Sequence, residues 1–89
     1  MVRMFVRHKV GDYRTWRRAY YAFCDERASM GVAAHAVYRG ADDPADITVS
    51  HDFENIRKAR AFAASPRLKE VMKGAGVASV PSIWFVKSA

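Results

Sequence analysis

The sequence has three histidines, and these are the side chains best suited to move protons near neutral pH because imidazole titrates close to it. Two of them, His8 and His51, stand at matching positions in two similar stretches. In each stretch a valine lies two residues before the histidine, an apolar residue lies two after it, and Asp12 or Asn55 lies four after it. We predict that these two histidines are catalytic general acids or bases, with His51 the stronger candidate and His8 the second.

A structural role is the alternative for each histidine, as a half-buried side chain bonded to a backbone carbonyl. His35 is a third candidate, and we expect it to face away from Ala34 and Ala36 on its strand. The strands that carry His8 and His51 should be antiparallel neighbours. About six residues of rise at ~3.3 Å each would then separate the two rings by roughly 20 Å. We therefore expect each histidine to act alone, without a shared metal ion.

The other reactive residues match no established catalytic pattern. Cys24 is the only cysteine, which excludes intramolecular disulfides and cysteine-cluster metal sites, and we expect a buried, inert thiol. The run Asp42-Asp43-Pro44 is typical of a turn rather than of a catalytic carboxylate pair. There is no phosphate-binding glycine loop, nucleophile elbow or set of metal-spaced ligands. We predict no cofactor and no metal, so an enzyme of this sequence would depend on a reactive substrate.

Aromatic residues make up 12% of the chain and are the second part of a candidate site. Tyrosine and tryptophan combine a flat apolar surface with a polar tip, which suits a flat, apolar ligand in a cavity. Six residues are predicted to bind such a substrate: Trp16, Tyr20, Tyr38, Phe53, Phe62 and Trp84. We expect Trp16, Tyr20 and Tyr38 closest to His51 or His8. The alternative is that these aromatic residues only form the core.

Periodic patterns predict the elements that must position these residues. Val2 to Val10 alternates as a strand that carries His8 on its apolar face. From Tyr13 to about Met30 the spacing is that of an amphipathic helix, whose inner face includes Arg27 beside the aromatic residues. The other predicted elements are strands at 32–39, 47–53 and 80–86, a helix that starts near Asn55, and a helix from Ser65-Pro66 to Lys73.

This order, β-α-β-β-α-β, predicts an α+β ferredoxin-like sandwich with a four-stranded antiparallel sheet. In that topology the first and third strands lie side by side at the centre of the sheet, and a pseudo-twofold axis relates them. The two matching histidine stretches are what such an axis would produce in sequence. Because the helices cover only one face, the other face must meet water or a partner.

Length, composition and charge narrow the class of protein. We expect the 89 residues to form one domain, 1–89, whose 51% hydrophobic content favours a homodimer interface or a ligand cavity. The net charge of +6 falls on predicted solvent faces of helices, so we predict no nucleic-acid partner; binding to nucleic acid or to an anionic surface is the alternative. No apolar run approaches the ~20 residues of a membrane span, and the start lacks the apolar h-region typical of a signal peptide. We predict no membrane association and a cytoplasmic location.

Several short segments together resemble one family of small proteins. The sequence resembles dimeric α+β-barrel proteins related to the antibiotic biosynthesis monooxygenases, and the likeness covers essentially the whole chain. The segments that carry it are His8-Lys9-Val10 with Asp12-Tyr13 and Trp16, Ala41-Asp42-Asp43-Pro44, His51-Asp52-Phe53, Lys58-Ala59-Arg60-Ala61-Phe62, Ala75-Gly76-Val77, and Pro81-Ser82-Ile83-Trp84-Phe85.

The resemblance implies a ferredoxin-like monomer whose sheet packs against the sheet of a second copy to form a dimeric α+β barrel. Relatives include cofactor-free monooxygenases, polyketide cyclases, isomerases and haem-degrading enzymes. It therefore implies a cofactor-independent enzyme of secondary metabolism, of monooxygenase or cyclase type, acting on a hydrophobic aromatic or polyketide-like small molecule. The alternative is a non-catalytic, small-molecule-binding or accessory dimer of the same fold. The resemblance assigns no catalytic role to any residue.

Overall fold

A computed structural model describes residues 1–89. It contains the predicted β-α-β-β-α-β order, with each helical segment divided into two helices. The elements are β1 (Val2–Lys9), α1 (Tyr13–Ala22), α2 (Cys24–Ser29), β2 (Ala34–Arg39), β3 (Asp46–Phe53), α3 (Ile56–Ala63), α4 (Pro66–Gly74) and β4 (Ser82–Lys87). None of the helices has the length and apolar character needed to cross a membrane.

Short polar side chains start the helices, as the sequence predicts. The Asp12 carboxylate accepts hydrogen bonds from the backbone N–H groups of Arg14 and Thr15 at 3.4 and 3.3 Å, and so caps α1. Asn55 caps α3 in the same manner by accepting from the N–H of Lys58 at 2.9 Å. The two stretches that match in sequence therefore both run from a strand into a capped helix.

The single helix predicted from Tyr13 to about Met30 is wrong in one respect, because it breaks at Phe23. The backbone N–H of Phe23 bonds to the carbonyl oxygens of both Ala19 and Tyr20, at 3.2 and 3.3 Å, so the last turn of α1 tightens before α2 begins. Phe23 itself is buried. The thiol of Cys24, expected to be buried, is only half-buried just after this break.

The four strands form one antiparallel sheet in the order β2-β3-β1-β4, so the first and third strands lie at the centre as predicted. In the central pair, Met4 lies opposite His51 and His8 lies opposite Ile47. On the other side of β3, His51 pairs with His35. Because successive side chains alternate between faces, all three histidines lie on the same face as the core residues Met4 and Ile47.

The helices cover this inner face, and the core forms there as two clusters of buried side chains. One cluster is built around Met4, Phe53 and Phe62, and the other around Trp16 and Ile47. The space between the clusters is where the candidate site lies.

The opposite face of the sheet carries no helix and presents aromatic residues to solvent. Phe5 and Trp84 are cross-strand partners and stack with ring centroids 5.3 Å apart. Tyr38, opposite Thr48 in the β2–β3 pair, is also on this face and is 55% exposed. The prediction that Tyr38 lies beside the histidines is therefore wrong, because the strand alternation directs its side chain away from the helices. Trp84, predicted to bind the substrate, lies on this same outer face.

Candidate functional site

A cavity of about 40 Å³ lies between the sheet and the helices. Its floor is formed by Val6 and His8 from β1 and by Val49 and His51 from β3. A water molecule needs ~10–15 Å³ of such space, so the cavity has room for a few waters, and an aromatic ligand would have to displace part of the wall.

Two walls of different chemistry stand on this floor. The wall from the α1–α2 segment carries polar groups as well as aromatic rings, and consists of Trp16, Tyr20, Phe23 and Arg27. The wall on the α4 side is apolar, and consists of Leu68, Val71, Met72 and Ala75.

His51 is the more deeply buried of the two histidines in the cavity floor. It is 4% exposed, its ring lies 5.1 Å from the ring of Phe62, and its Nδ1 has no hydrogen-bond partner in the protein. Burial, and after it the positive charge of Arg27, lowers the pKa of His51 to about 3. The imidazole is therefore neutral at physiological pH, where it can donate or accept a hydrogen bond and is a weak proton acceptor.

His8 lies in the same floor, and its Nδ1 also has no partner in the protein. Its ring meets the edge of Trp16 at a centroid distance of 5.8 Å. Burial lowers the pKa of His8 below 6.5, against smaller opposing effects of its own backbone and of Asp46. Two buried, neutral imidazoles thus face one apolar space.

The distance between these two histidines is shorter than the sequence predicts. Across the β1–β3 pair, Met4 lies opposite His51 and Ile47 lies opposite His8. His8 and His51 are therefore offset by four residues along the strands, a rise of about 13 Å. The predicted distance of roughly 20 Å is too long because His51 lies two residues before the end of β3 at Phe53. The rings still do not form a dyad, and no group of three or more His, Cys, Asp or Glu side chains could hold a metal ion.

His35 connects this site to the protein surface. The Tyr20 hydroxyl and His35 Nδ1 are hydrogen-bonded at 2.5 Å, and His35 is exposed whereas Tyr20 is buried. Burial raises the pKa of Tyr20 to about 12, and burial followed by the charge of Arg27 lowers the pKa of His35. Both partners are neutral near pH 7.

Arg27 is the residue of this site that the sequence analysis did not select. It is 2% exposed, and its Nη1 donates to the carbonyl oxygen of Tyr20 at 2.7 Å. The guanidinium carbon lies 3.6 Å from the centre of the Tyr20 ring, and Nε and Nη2 have no partner in the protein. The signal in the sequence was an arginine on the apolar stripe of a helix, where a lone charge is costly.

The structure brings together only part of the predicted site. Trp16 and Tyr20 line the cavity with His8 and His51, and their rings stack 5.0 Å apart. Phe53 and Phe62 do not line the cavity. They pack in the adjacent core cluster, where the ring of Phe62 contacts the ring of His51. Tyr38 and Trp84, on the opposite face of the sheet, do not line the cavity.

Comparison with solved structures finds the same fold over the whole chain. An antibiotic biosynthesis monooxygenase aligns with a TM-score of 0.75 at 7% identity, covering 100% of this chain and 99% of that one. A protein of Bordetella bronchiseptica named after the same group aligns with a TM-score of 0.83 at 17% identity, covering 99% and 96% of the two chains. This chain has the antibiotic biosynthesis monooxygenase-like fold.

SnoaB of Streptomyces nogalater, a cofactor-independent oxygenase, also has this antibiotic biosynthesis monooxygenase-like fold. It aligns with a TM-score of 0.74 at 14% identity, covering 99% of this chain and 94% of SnoaB. No family model and no curated protein sequence matches the chain. These comparisons confirm the predicted likeness at the level of the fold, and the function has to be argued from the cavity.

Proposed function

We propose that this protein is a cofactor-independent enzyme, of monooxygenase or cyclase type, that acts on a hydrophobic aromatic small molecule. The observation that carries the proposal is His51, a buried, neutral imidazole whose Nδ1 has no protein partner and which faces a cavity walled by Trp16 and Tyr20. The fold shared with a cofactor-independent oxygenase supports it. The finer assignment, to an aromatic polyketide, belongs to the same proposal.

In this proposal His51 takes a proton from the bound substrate or returns one to it. The neutral imidazole has the required lone pair, and the stacked rings of Trp16 and Tyr20 orient a flat substrate above it. His8, at the other end of the floor, acts on a second position of the ligand. Each histidine works separately because of the four-residue offset between them.

The test is turnover by histidine variants. His51→Ala and, separately, His8→Ala are assayed against a panel of aromatic polyketides, with oxygen uptake and product mass followed together. We expect His51→Ala to lower turnover by roughly 100-fold or more, the size typical of a lost general acid or base. Arg18→Gln, an exposed change on α1, is the matched control and should keep full activity. Full activity in both histidine variants would contradict the assignment.

The second candidate is a non-catalytic binding or accessory protein that uses the same cavity. The observation that favours it is the low pKa of His51, about 3, which makes this imidazole a weak proton acceptor near pH 7. In this case an aromatic ligand binds tightly and is recovered chemically unchanged after long incubation. Mass spectrometry of the recovered ligand separates the two candidates.

We also propose that the active unit is a homodimer of this domain, residues 1–89, with the helix-free sheet faces packed together. The stacked pair Phe5 and Trp84 supplies the apolar centre of that face. Ion pairs between Arg3 and Asp52 and between Arg7 and Asp46 flank it. Since each pair contains both signs of charge, a second copy related by a twofold axis can meet it with complementary charges.

Light scattering coupled to size exclusion tests the dimer. We expect the mass of a dimer at micromolar concentration, and a monomer when Trp84→Asp places a charge in the centre of the interface. Arg18→Gln should leave the dimer intact. A wild-type protein that elutes as a stable monomer would exclude the barrel assembly.

A further inference from the structure

Arg27 places a permanent positive charge inside the apolar cavity. A guanidinium stays protonated in proteins, so its charge cannot be removed by a shift in pKa as that of a lysine can. The side chain is 2% exposed, and no carboxylate lies within ion-pair distance of it. The Tyr20 carbonyl and the face of the Tyr20 ring offset only part of the cost of burying this charge, because no anion pairs with it.

The donors that Arg27 leaves without a partner are the two that bind carboxylates elsewhere in this protein. Arg3 holds Asp52 through Nε and Nη2 at 2.7 and 3.2 Å, and Arg7 holds Asp46 through the same two atoms at 3.0 and 2.6 Å. Arg67 holds Glu26 by the same pair of atoms at 2.8 Å each. In Arg27 only Nη1 donates a hydrogen bond, to the carbonyl oxygen of Tyr20, and Nε and Nη2 have no acceptor in the protein.

No other group of the cavity balances this charge. No aspartate or glutamate lines it. Of the two acids that precede Arg27 in the chain, Glu26 pairs with Arg67 and Asp25 is exposed. His8 and His51 contribute no charge near pH 7 because burial lowers the pKa of both. The net charge of the cavity lining is therefore one positive unit.

We propose that the cavity takes a planar aromatic ligand that carries one delocalised negative charge over two oxygen atoms, and that Arg27 binds this charge through Nε and Nη2. The shared chemistry is that of a carboxylate or of the enolate of a hydroxyquinone. The inference rests on the proposed function, since it names the class of substrate that this same cavity receives. A parallel pair of charge-assisted hydrogen bonds fixes both the position and the plane of such a group.

The surrounding rings give the ligand its orientation. Arg27 stacks on Tyr20, and the rings of Tyr20 and Trp16 are nearly parallel, at an angle of 18°. An aromatic ring attached to the anionic group can continue this stack over the floor that holds His51 when part of the cavity wall moves, since the free volume is about 40 Å³. Arg27 would then be the binding residue that keeps the substrate ionised, and His51 the neutral group beside it.

The experiment measures binding by calorimetry with two pairs of probes. The first pair is naphthoate and its neutral amide, naphthamide. The second is 2-hydroxy-1,4-naphthoquinone, a vinylogous carboxylic acid that is ionised near pH 7, and neutral 1,4-naphthoquinone. The full-length protein is compared with Arg27→Met, which removes the charge, and Arg27→Lys, which keeps the charge without the paired donors. Arg18→Gln removes an exposed arginine charge and is the matched control.

We expect the wild type to bind at least one anion more tightly than its neutral partner. Arg27→Met should lose roughly 10- to 100-fold in affinity for that anion, the range of one or two charged hydrogen bonds, and keep its affinity for the neutral probe. Arg27→Lys should lose part of the preference, and Arg18→Gln none. Preference for naphthoate alone indicates a carboxylate substrate, and preference for hydroxynaphthoquinone alone indicates an enolate.

Two results would overturn the inference, and they differ in what they say about the proposed function. If wild type binds the neutral probes as tightly as the anions, or if Arg27→Met keeps the anion preference, Arg27 is not an anion site, while an aromatic-binding cavity stands. If no aromatic probe binds to the wild type, the cavity itself is not a ligand site, and both proposals fall.

A folding control keeps the result interpretable. Removing an uncompensated buried charge should leave the thermal midpoint of Arg27→Met equal to or above that of wild type in the absence of ligand. The anion that the wild type prefers should then raise the midpoint of the wild type far more than that of the variant. If Arg27→Met does not fold, the loss of anion preference in Arg27→Lys carries the same test.

Discussion

Burial of His51 should make the protein sensitive to mild acid. The pKa of this imidazole is about 3 in the folded protein and 6.5 when unperturbed, so the unfolded chain binds a proton below pH 6.5 that the folded chain refuses until about pH 3. Stability from this group is therefore fully present above pH 6.5 and falls as the pH is lowered. The cause is desolvation of the charged ring, reinforced by the nearby charge of Arg27.

The magnitude follows from the pKa difference. At pH 4.5 the pH lies two units below the pKa of the imidazole in the unfolded chain, and each unit of difference is worth about 1.36 kcal/mol. Proton binding to the unfolded state therefore lowers the free energy of unfolding by about 2.5 kcal/mol relative to pH 7. This is a large share of the ~5–15 kcal/mol by which small domains are stable. Protonation of paired carboxylates such as Glu26, whose pKa is lowered by Arg67, adds a separate loss that is common to the wild type and its histidine variants.

Urea unfolding of wild type and His51→Gln at pH 7 and at pH 4.5, at one protein concentration, isolates the effect. Glutamine is polar and does not titrate, so the variant should lose about 2.5 kcal/mol less than wild type between the two pH values. His35→Gln is the comparison for an exposed imidazole and should change the pH dependence far less. Equal pH dependence in wild type and His51→Gln, or a His51 resonance that titrates near pH 6.5 in the folded protein, would refute the reasoning.

Three further predictions concern the cap, the core and the pH dependence of activity. Asp12→Ala removes the cap of α1 and should lower the free energy of unfolding by about 1 kcal/mol in urea titrations, whereas Asp42→Ala in an exposed turn should not. Met4→Ala opens a cavity under the central strands, where Met4 is 0% exposed, and should cost about 2–5 kcal/mol by the same assay. Turnover that depends on His51 should show no acid limb near pH 6.5, because the imidazole stays unprotonated down to about pH 3; a limb near 6.5 would contradict its low pKa.

The order of elements and the centre of the sheet could be read from local patterns. The alternation from Val2 to Val10 places His8 on the inner face, and the match with the stretch around His51 indicates the pairing of β1 with β3. Asp12 and Asn55 mark helix starts because a carboxylate or amide at that position satisfies free backbone N–H groups. These are short-range rules, and they held.

The details of the candidate site depend on long-range register and on burial, which local patterns do not contain. Tyr38 was predicted beside the histidines and Trp84 among the substrate-binding residues, but both lie on the outer face with their cross-strand partners Thr48 and Phe5. Arg27 occupied a recognised apolar position of the helix, yet only the structure shows that no carboxylate approaches it.

The histidines illustrate the same limit. Their types suggested proton transfer, and the strands that carry them were identified correctly. That both line one cavity depends on the β1–β3 register, together with the positions of Trp16 and Tyr20 above the sheet. The depression of the pKa of His51 depends on burial and on the charge of Arg27, which is far from His51 in the sequence and close to it in the fold.

The unequal walls of the cavity separate two tasks that an evolving protein must perform. All the ionisable groups that line it come from the sheet and from the α1–α2 segment, whereas the side contributed by Leu68, Val71, Met72 and Ala75 is entirely apolar. Substitutions on that side can change the shape and size of the accepted molecule without touching His51, His8 or Arg27. Selection on α4 and the residue that follows it can therefore alter which compound is accepted while the reactive half of the cavity is inherited unchanged.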